Sequence, residues 1–333
     1  MACGPNLPMS LMKVGGLKTM SMWIGMDIGG TNLRLGVFAG EGSPKLLEEM
    51  RFQADFSKLC MAHKDAPEQA WQQILSTLAN AIATVRKQYS AVVGVGIGFP
   101  GFIDPDSQKI VASPNLPGLH QLDLSADLSR LIALPVWTLN DALAAAYGEY
   151  ALRAQEMNSL IYLGLGTGVG GGMIMDQRAV SGQHGVAMEV GHIIIKPQGR
   201  LCGCGNRGCM EQYASASGVS LTFFESSGRH ESAQTIAELA QAGNQAAKHA
   251  YAIAGSGLAQ AFAQVLKVVD ISQVVIGGGM RAAWPLMVDA FTEQLDEDLI
   301  PVLRGKISLH LSELGDQAGM LGAAMLAKAY SQI

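Results

Sequence analysis

The sequence carries little charge and no basic surplus: charged side chains are 15% of its 333 residues, with 23 Lys plus Arg against 28 Asp plus Glu and a net charge of −5. No basic run offers the footprint that nucleic acid or an anionic membrane requires, so neither is an expected partner. Long apolar runs are lacking too. Glycines, prolines and charges interrupt every stretch that approaches the roughly 18 to 20 residues of a membrane span. Residues 1–21 contain Met1, Met9, Met12 and Met20 but no continuous apolar segment followed by a small-residue cleavage site, which argues against a signal peptide. They read as a disordered extension or the artefact of an upstream start, and the chain reads as cytoplasmic. A G-x-x-x-x-G-K-[ST] sequence is absent, which excludes a P-loop.

What is plentiful is apolar residues and glycine. A hydrophobic content of 49% can bury a large core in one or two domains, so disorder is excluded for the bulk of the chain. Glycine accounts for 40 residues, about 12% against an average near 7%. These glycines have no collagen period and fall in short clusters flanked by β-branched residues.

Two segments share a plan. Met22 to Phe38 reads strand, Gly29-Gly30-Thr31 turn, strand, and Ser159 to Met175 repeats it around Gly164 to Gly172. Each is followed by a helical segment (about Glu68 to Gln88; within about Ala246 to Val268) and then by an apolar strand ending in glycines (Ala91 to Gly101; Val274 to Gly279). Such a duplication implies two α/β lobes with a cleft between them. Residues 22–138 are expected to form the first lobe, completed by a returning helix at 318–331, and 139–317 the second. Val136 to Leu139 reads as a strand that hands over through Asn140-Asp141 to an Ala-rich helix from Ala142.

Cysteines are few: five, of which Cys202, Cys204 and Cys209 lie within eight residues. Three clustered thiols on a Gly-rich loop, in a chain without an export signal, suit a structural zinc better than a disulfide framework. His192 is the nearest candidate for the fourth ligand of a Cys₃His tetrahedron, giving a zinc loop at 192–209.

Gly166-Thr-Gly168-Val-Gly-Gly171 matches G-x-G-x-x-G, but the following residues read as strand, turn and strand where a dinucleotide fold needs a helix. The glycine turns fit instead as two phosphate grips, one per lobe, with Thr31 and Thr167 adding hydroxyl donors and Gly277-Gly278-Gly279 forming a third cluster. Asp27 beside the first turn would repel phosphate unless a cation intervened, which suggests Mg²⁺. Asp141 is either a helix cap or a catalytic base at a strand's carboxyl end. Glu189, His192 and Glu211 form a polar set tethered by the zinc loop, suited to several hydroxyls at fixed angles or else groups that only support other ligands or lie at the surface.

Together these residues resemble the bacterial ROK-family sugar kinases of the actin-like, ribonuclease-H-like ATPase superfamily. The resemblance spans about residues 22 to 330 and rests on Asp27-Ile-Gly-Gly-Thr31 with Arg34, Gly98-Phe-Pro-Gly101, Asn140-Asp141, Gly166 to Gly172, Glu189-Val-Gly-His192 and the cysteine loop with Glu211. It implies a two-lobe α/β fold with an interlobe cleft and ATP-dependent phosphorylation of a hexose hydroxyl, usually the 6-hydroxyl, with Asp141 as general base. It also implies sugar contacts from Gly101, Asn115, Asn140, Asp141, Glu189, His192 and Glu211, and zinc on His192, Cys202, Cys204 and Cys209. The nucleotide set is Asp27, Gly29, Gly30, Thr31, Asn32, Gly166, Thr167, Gly168, Gly170, Gly277 and Gly278. Met188 departs from the small residue usual in glucokinase-like members and is expected to reshape the C1/C2 end of the sugar site.

Glucose is the first expected acceptor, then N-acetylglucosamine or N-acetylmannosamine, then allose or fructose. A repressor of the same family would carry an N-terminal helix-turn-helix, which 21 irregular residues cannot supply. A non-catalytic sugar sensor is the remaining class, and Asp141 argues against it. The resemblance further implies a homodimer.

Overall fold

The computed structural model describes residues 21–29, 32–39 and 44–332. Residues 1–20 of the expected leader, and Gly30 and Thr31 of the first glycine turn, lie outside the described residues.

Each half of the duplication builds a five-stranded sheet. In the first, β1 (Met22–Ile28), β2 (Asn32–Ala39), β3 (Lys45–Gln53), β4 (Val92–Phe99) and β7 (Val136–Asn140) run in the order β3-β2-β1-β4-β7. In the second, β8 (Leu160–Leu165), β9 (Val169–Met175), β10 (Arg178–Ala179), β11 (Gln273–Gly277) and β12 (Ser308–Leu311) run in the order β10-β9-β8-β11-β12. The plans coincide: three antiparallel strands, then two parallel ones. A short ribbon of β5 (Phe102–Ile103) and β6 (Ile110–Ala112) follows β4. Because β7 belongs to the first sheet through Asn140, a division at 138/139 cuts this strand, and the first sheet ends two residues later than expected.

Helices cover both faces of the central strands, which is why β1 and β4 are nearly continuously apolar and buried. On the outer face of the first sheet, α1 (Phe56–Ala62) leads into α2 (Pro67–Gln88), which opens on Pro67, where the missing N–H is harmless. Helix α2 buries Trp71, Ile74, Leu75, Leu78, Ile82 and Val85 at helical spacing. The Trp71 indole N–H donates to Asp127 Oδ2 (2.8 Å) and so ties α2 to α3 (Leu124–Ile132).

Between the sheets lie α4 (Asp141–Arg153) and α10 (Ala318–Tyr330). Here much of the glycine surplus has a use the composition does not reveal. A Cβ on Gly25 or Gly96 would fall 1.8 or 1.9 Å from the carbonyl oxygens of Met320 and Ala323, so α10 lies with its backbone directly on β1 and β4. Where α4 and α10 cross, a Cβ on Gly148 would meet the Ala318 oxygen at 2.1 Å and one on Gly322 the Ala144 oxygen at 1.7 Å. These positions exclude any larger side chain because the obstacle is main chain, which cannot change rotamer.

The second core is built on α8 (Gln245–Val269), surrounded by α5 (Glu211–Ala214), α6 (Ala216–Ser227), α7 (Ala233–Gln241) and α9 (Val288–Asp298). Contrary to the reading that no apolar stretch is long enough, α8 has the length and composition to cross a membrane. Its Ala-rich faces are what allow four helices to pack closely around it: Ala250, Ala254, Leu258, Ala261 and Phe262 are all buried in this core.

Candidate active site

A cavity of about 500 Å³ opens between the sheets, at the carboxyl ends of β1, β4 and β7 on one side and β8 and β11 on the other. Open α/β sheets place their ligands at such strand ends. All seven expected sugar contacts, Gly101, Asn115, Asn140, Asp141, Glu189, His192 and Glu211, line it. So do Asp27, Gly29, Asn32, Gly166, Gly168, Gly170 and Gly278 of the nucleotide set.

Asn140, rather than Asp141, is the N-cap of α4: its Oδ1 accepts from the Leu143 N–H (3.0 Å), while its Nδ2 donates to the Gly101 carbonyl (3.2 Å). The cap is therefore filled without Asp141, whose Oδ1 accepts from the adjacent Ala142 N–H (2.8 Å) and which lines the cavity. Burial pushes the Asp141 carboxyl up to about 6; the Ala142 N–H lowers it and the Glu189 charge raises it further. Glu189 is itself raised by burial, with His192 opposing and Glu211 adding to the shift.

On the opposite wall, Asp27 is pushed up to about 7, first by burial, then by the Asp141 charge, with the Arg34 guanidinium opposing and Asp316 adding to the rise. Arg34, paired with Asp27 across β1 and β2, is the only Lys or Arg among the described residues lining the cavity. It reaches Asp316 (2.8 Å), which precedes α10. Sequence reasoning named Arg34 only as part of a motif and overlooked Asp316, because 282 positions separate the pair and no local pattern connects them.

The zinc candidates come together. His192 Nδ1, Cys202 Sγ, Cys204 Sγ and Cys209 Sγ lie within 4.8 Å of one another. Cys204 and Cys209 sulfurs are 3.6 Å apart, far beyond a disulfide, and Cys202 Sγ is 3.6 Å from His192 Nδ1. Zinc bonds of about 2.3 Å to sulfur and 2.0 Å to nitrogen set tetrahedral edges of about 3.5 to 3.8 Å, so the donor set fits this ion in type and spacing. Without a cation, burial pushes the Cys209 thiol up to about 12. Short bridges at Ile194/Cys209 and Leu201/Arg207 pin the loop, and His192 Nε2 faces Glu189 Oε2 at 3.7 Å on the cavity side. One imidazole thus joins the sulfur cluster to the cavity wall.

Several expectations need correction. Gly168 leaves room for the Glu211 carboxylate, whose Oε2 would lie 2.4 Å from a Cβ there and accepts from the Val169 N–H (2.9 Å). Its glycine character thus serves an internal contact rather than ligand approach. Gly277 does not line the cavity, since the Tyr162 ring occupies the space beside it. Thr167 is exposed outside the cavity, with its carbonyl accepting from Ser217. Met188 packs on the second core and does not line the cavity; what is unusual is its left-handed backbone, φ 67°. That conformation brings its carbonyl to where a Cβ on Gly171 would clash at 2.5 Å.

Duplicated sheets around a cleft, a carboxyl at a strand end that is not used for capping, and a polar wall tied to a Cys₃His cluster are the architecture of an ATP-dependent sugar kinase with the actin-like fold. The chain belongs to the ROK family, whose model matches residues 23–330. It is 30% identical to a glucokinase of Thermotoga maritima over 321 residues, covering 92% of this chain and 96% of that one. It is 31% identical to an N-acetylmannosamine kinase of Citrobacter koseri over 307 residues, covering 92% and 98%. A ROK-family glucokinase of Streptomyces griseus, solved with glucose and AMPPNP, superposes with a TM-score of 0.76 at 28% identity, covering 93% of this chain and all of that one.

Proposed function

We propose that the protein transfers the terminal phosphoryl group of ATP to the 6-hydroxyl of a hexose, glucose first and an N-acetylhexosamine next. The observation that carries this reading is Asp141, a buried carboxyl freed from capping and placed between the Glu189–His192–Glu211 wall and the Asp27–Arg34 wall. Gly101, Asn115, Asn140, Glu189, His192 and Glu211 hold the sugar hydroxyls, and Asp141 accepts the proton of the attacking one. The hydroxyl oxygen then bonds to the terminal phosphorus as the bridging bond to ADP breaks, with the reactants positioned in line. Asp27 is the group suited to hold Mg²⁺ through water, which when bound with ATP offsets phosphate charge. The glycine turn at Gly29 to Asn32 on one wall, and Gly166, Gly170 and Gly278 on the other, hold the phosphates. Zinc on His192, Cys202, Cys204 and Cys209 stiffens the sugar wall. Thiolates kept free as ligands suit the reducing cytoplasm. Homodimerisation is the assembly proposed from the family.

A coupled assay of ADP release across glucose, N-acetylglucosamine, N-acetylmannosamine, allose and fructose tests the function. Sugar-stimulated ADP formation, greatest with glucose, is expected. Sugar binding without ADP formation would replace the kinase by a sensor.

With Asp141 titrating at about 6, the base is lost as pH falls through that value, so kcat/KM for sugar should drop at least tenfold per unit below pH 6, with Asp27, raised to about 7, losing its charge first. A profile flat down to pH 4.5 would remove Asp141 as the base.

A further inference from the structure

Tyr162 lies on β8, two residues before Gly164 and on the same face of the strand. Its ring leans along the sheet over two glycines that face each other across β8 and β11. A Cβ on Gly164 would fall 3.0 Å from the ring edge, and one on Gly277 would fall 2.5 Å from the hydroxyl oxygen. Glycine at 277 thus leaves the space that the phenol fills, and a side chain at 164 would press on the ring edge. The residue is 5% exposed and lines the cavity.

The hydroxyl stands out among the polar groups of the site. Among the described residues, no buried side-chain nitrogen or oxygen lacks a hydrogen-bond partner. The Tyr162 hydroxyl makes no hydrogen bond to any described group, so its oxygen is open to the cavity rather than sealed in the core. A buried phenol normally finds a partner, and one that points unpaired into a cleft is placed for a ligand.

The surroundings indicate which ligand. The acids whose charges reach Tyr162 are Glu149, Asp141, Asp27 and Asp316, and together with burial they hold the phenol well above its ordinary range. It is therefore a donor at neutral pH. Of these acids, Asp27 and Asp316 flank Arg34 on one wall, and Asp141 is the proposed base at the carboxyl end of β7. The ring and hydroxyl lie against Gly164 and Gly277, which lead into Gly166 and Gly278 of the phosphate set, and a neutral donor there is matched to a phosphate oxygen, since it adds a hydrogen bond without adding charge.

We propose that the Tyr162 hydroxyl donates a hydrogen bond to the terminal phosphate of the bound nucleotide, making Tyr162 a catalytic residue of this chain in addition to its glycine turns. The bond strengthens as charge develops on the transferring group. This inference rests on the kinase reading of the cleft.

Tyr162→Phe in the full-length protein removes only the oxygen and keeps the ring between Gly164 and Gly277. Steady-state kinetics and titration with Mg·AMPPNP should show kcat/KM for ATP lowered about 10- to 100-fold and AMPPNP binding weakened several-fold. The KM for sugar and the thermal midpoint should stay unchanged. Wild-type ATP parameters would overturn the proposal, and so would a loss shared equally by sugar binding and thermal stability, which would make the residue a packing element. Should the wild-type protein phosphorylate no sugar, the kinase reading fails separately. The AMPPNP titration then decides alone, with unchanged affinity in Tyr162→Phe overturning the contact.

Discussion

Asp141→Asn is expected to lower kcat by about 10³- to 10⁴-fold while the dissociation constant for the preferred sugar moves less than about threefold. The asymmetry follows from what each atom does. Asn140 holds the first turn of α4 and bridges to Gly101, so the helix start and the sugar-side backbone survive the change. An amide oxygen at position 141 can still accept from the Ala142 N–H and still accept from a sugar hydroxyl, but it cannot take the proton. The variant should also be more stable. A carboxyl whose folded value is raised to about 6 stabilises fully only below its unfolded value and loses that contribution as pH rises through about 6. At neutral pH the wild-type protein therefore carries an ionised group in an unfavourable place. Removing it should gain about 1–2 kcal/mol, a figure reduced from the full shift because the side chain opens onto cleft water. Turnover assays, calorimetric sugar titration and denaturant unfolding at pH 7.5 read these three effects. Near-normal turnover would leave Asp141 a bystander next to the cap, and lowered stability would mean that its charge is better accommodated than its burial implies.

Loss of the metal should act mainly on the sugar. Protein purified without chelator should contain about one zinc per chain, and Cys204→Ser should lose it. Cys204 is the exposed member of the cluster, so the substitution leaves little packing to repair. What it frees is the loop that holds His192, whose Nδ1 faces the sulfurs while Nε2 faces Glu189. Glu189 and Glu211 flank the same loop and lose their fixed angles with it. The KM for sugar should rise about 10- to 100-fold and AMPPNP affinity should fall less, because Asp27 and Arg34 stand on the other sheet while Gly166, Gly170 and Gly278 share the lobe of the zinc loop. Metal analysis together with the two titrations checks this. Metal-free protein with full sugar affinity would show that backbone bridges alone suffice to hold the loop.

Much of this was legible along the chain, because strands, hairpin turns and metal loops are written in consecutive residues. The alternation around Met22 to Phe38 and Leu160 to Met175, the helix before Val92 and the Cys202 to Cys209 run all carry their meaning locally. What escaped is whatever depends on partners far away. Glycine marks a place where something comes close but does not say what: for Gly25 and Gly96 it is α10, for Gly168 it is Glu211, and for Gly277 it is a tyrosine ring. Composition cannot separate these from a phosphate. The Arg34–Asp316 pair and the unpaired Tyr162 hydroxyl were illegible for the same reason, and the left-handed Met188 because its side chain gives no hint of its backbone. The length and apolarity of α8 were overlooked because its glycines looked like interruptions, whereas Gly255 and Gly257 are buried seats for neighbouring elements.

The crossing of α4 and α10 limits how the two sheets can move. In a contact made by side chains, one helix can slide on another by changing rotamers, which is how shear motions proceed. At Gly148 and Gly322 the surfaces in contact are main chain, with no rotamers to change. Translation along that interface would drive carbonyl oxygens into backbone, whereas rotation about it keeps the contact. The cleft should therefore open and shut as a hinge whose axis passes through this crossing, and the largest displacements should fall at the cavity's outer rim rather than at its floor.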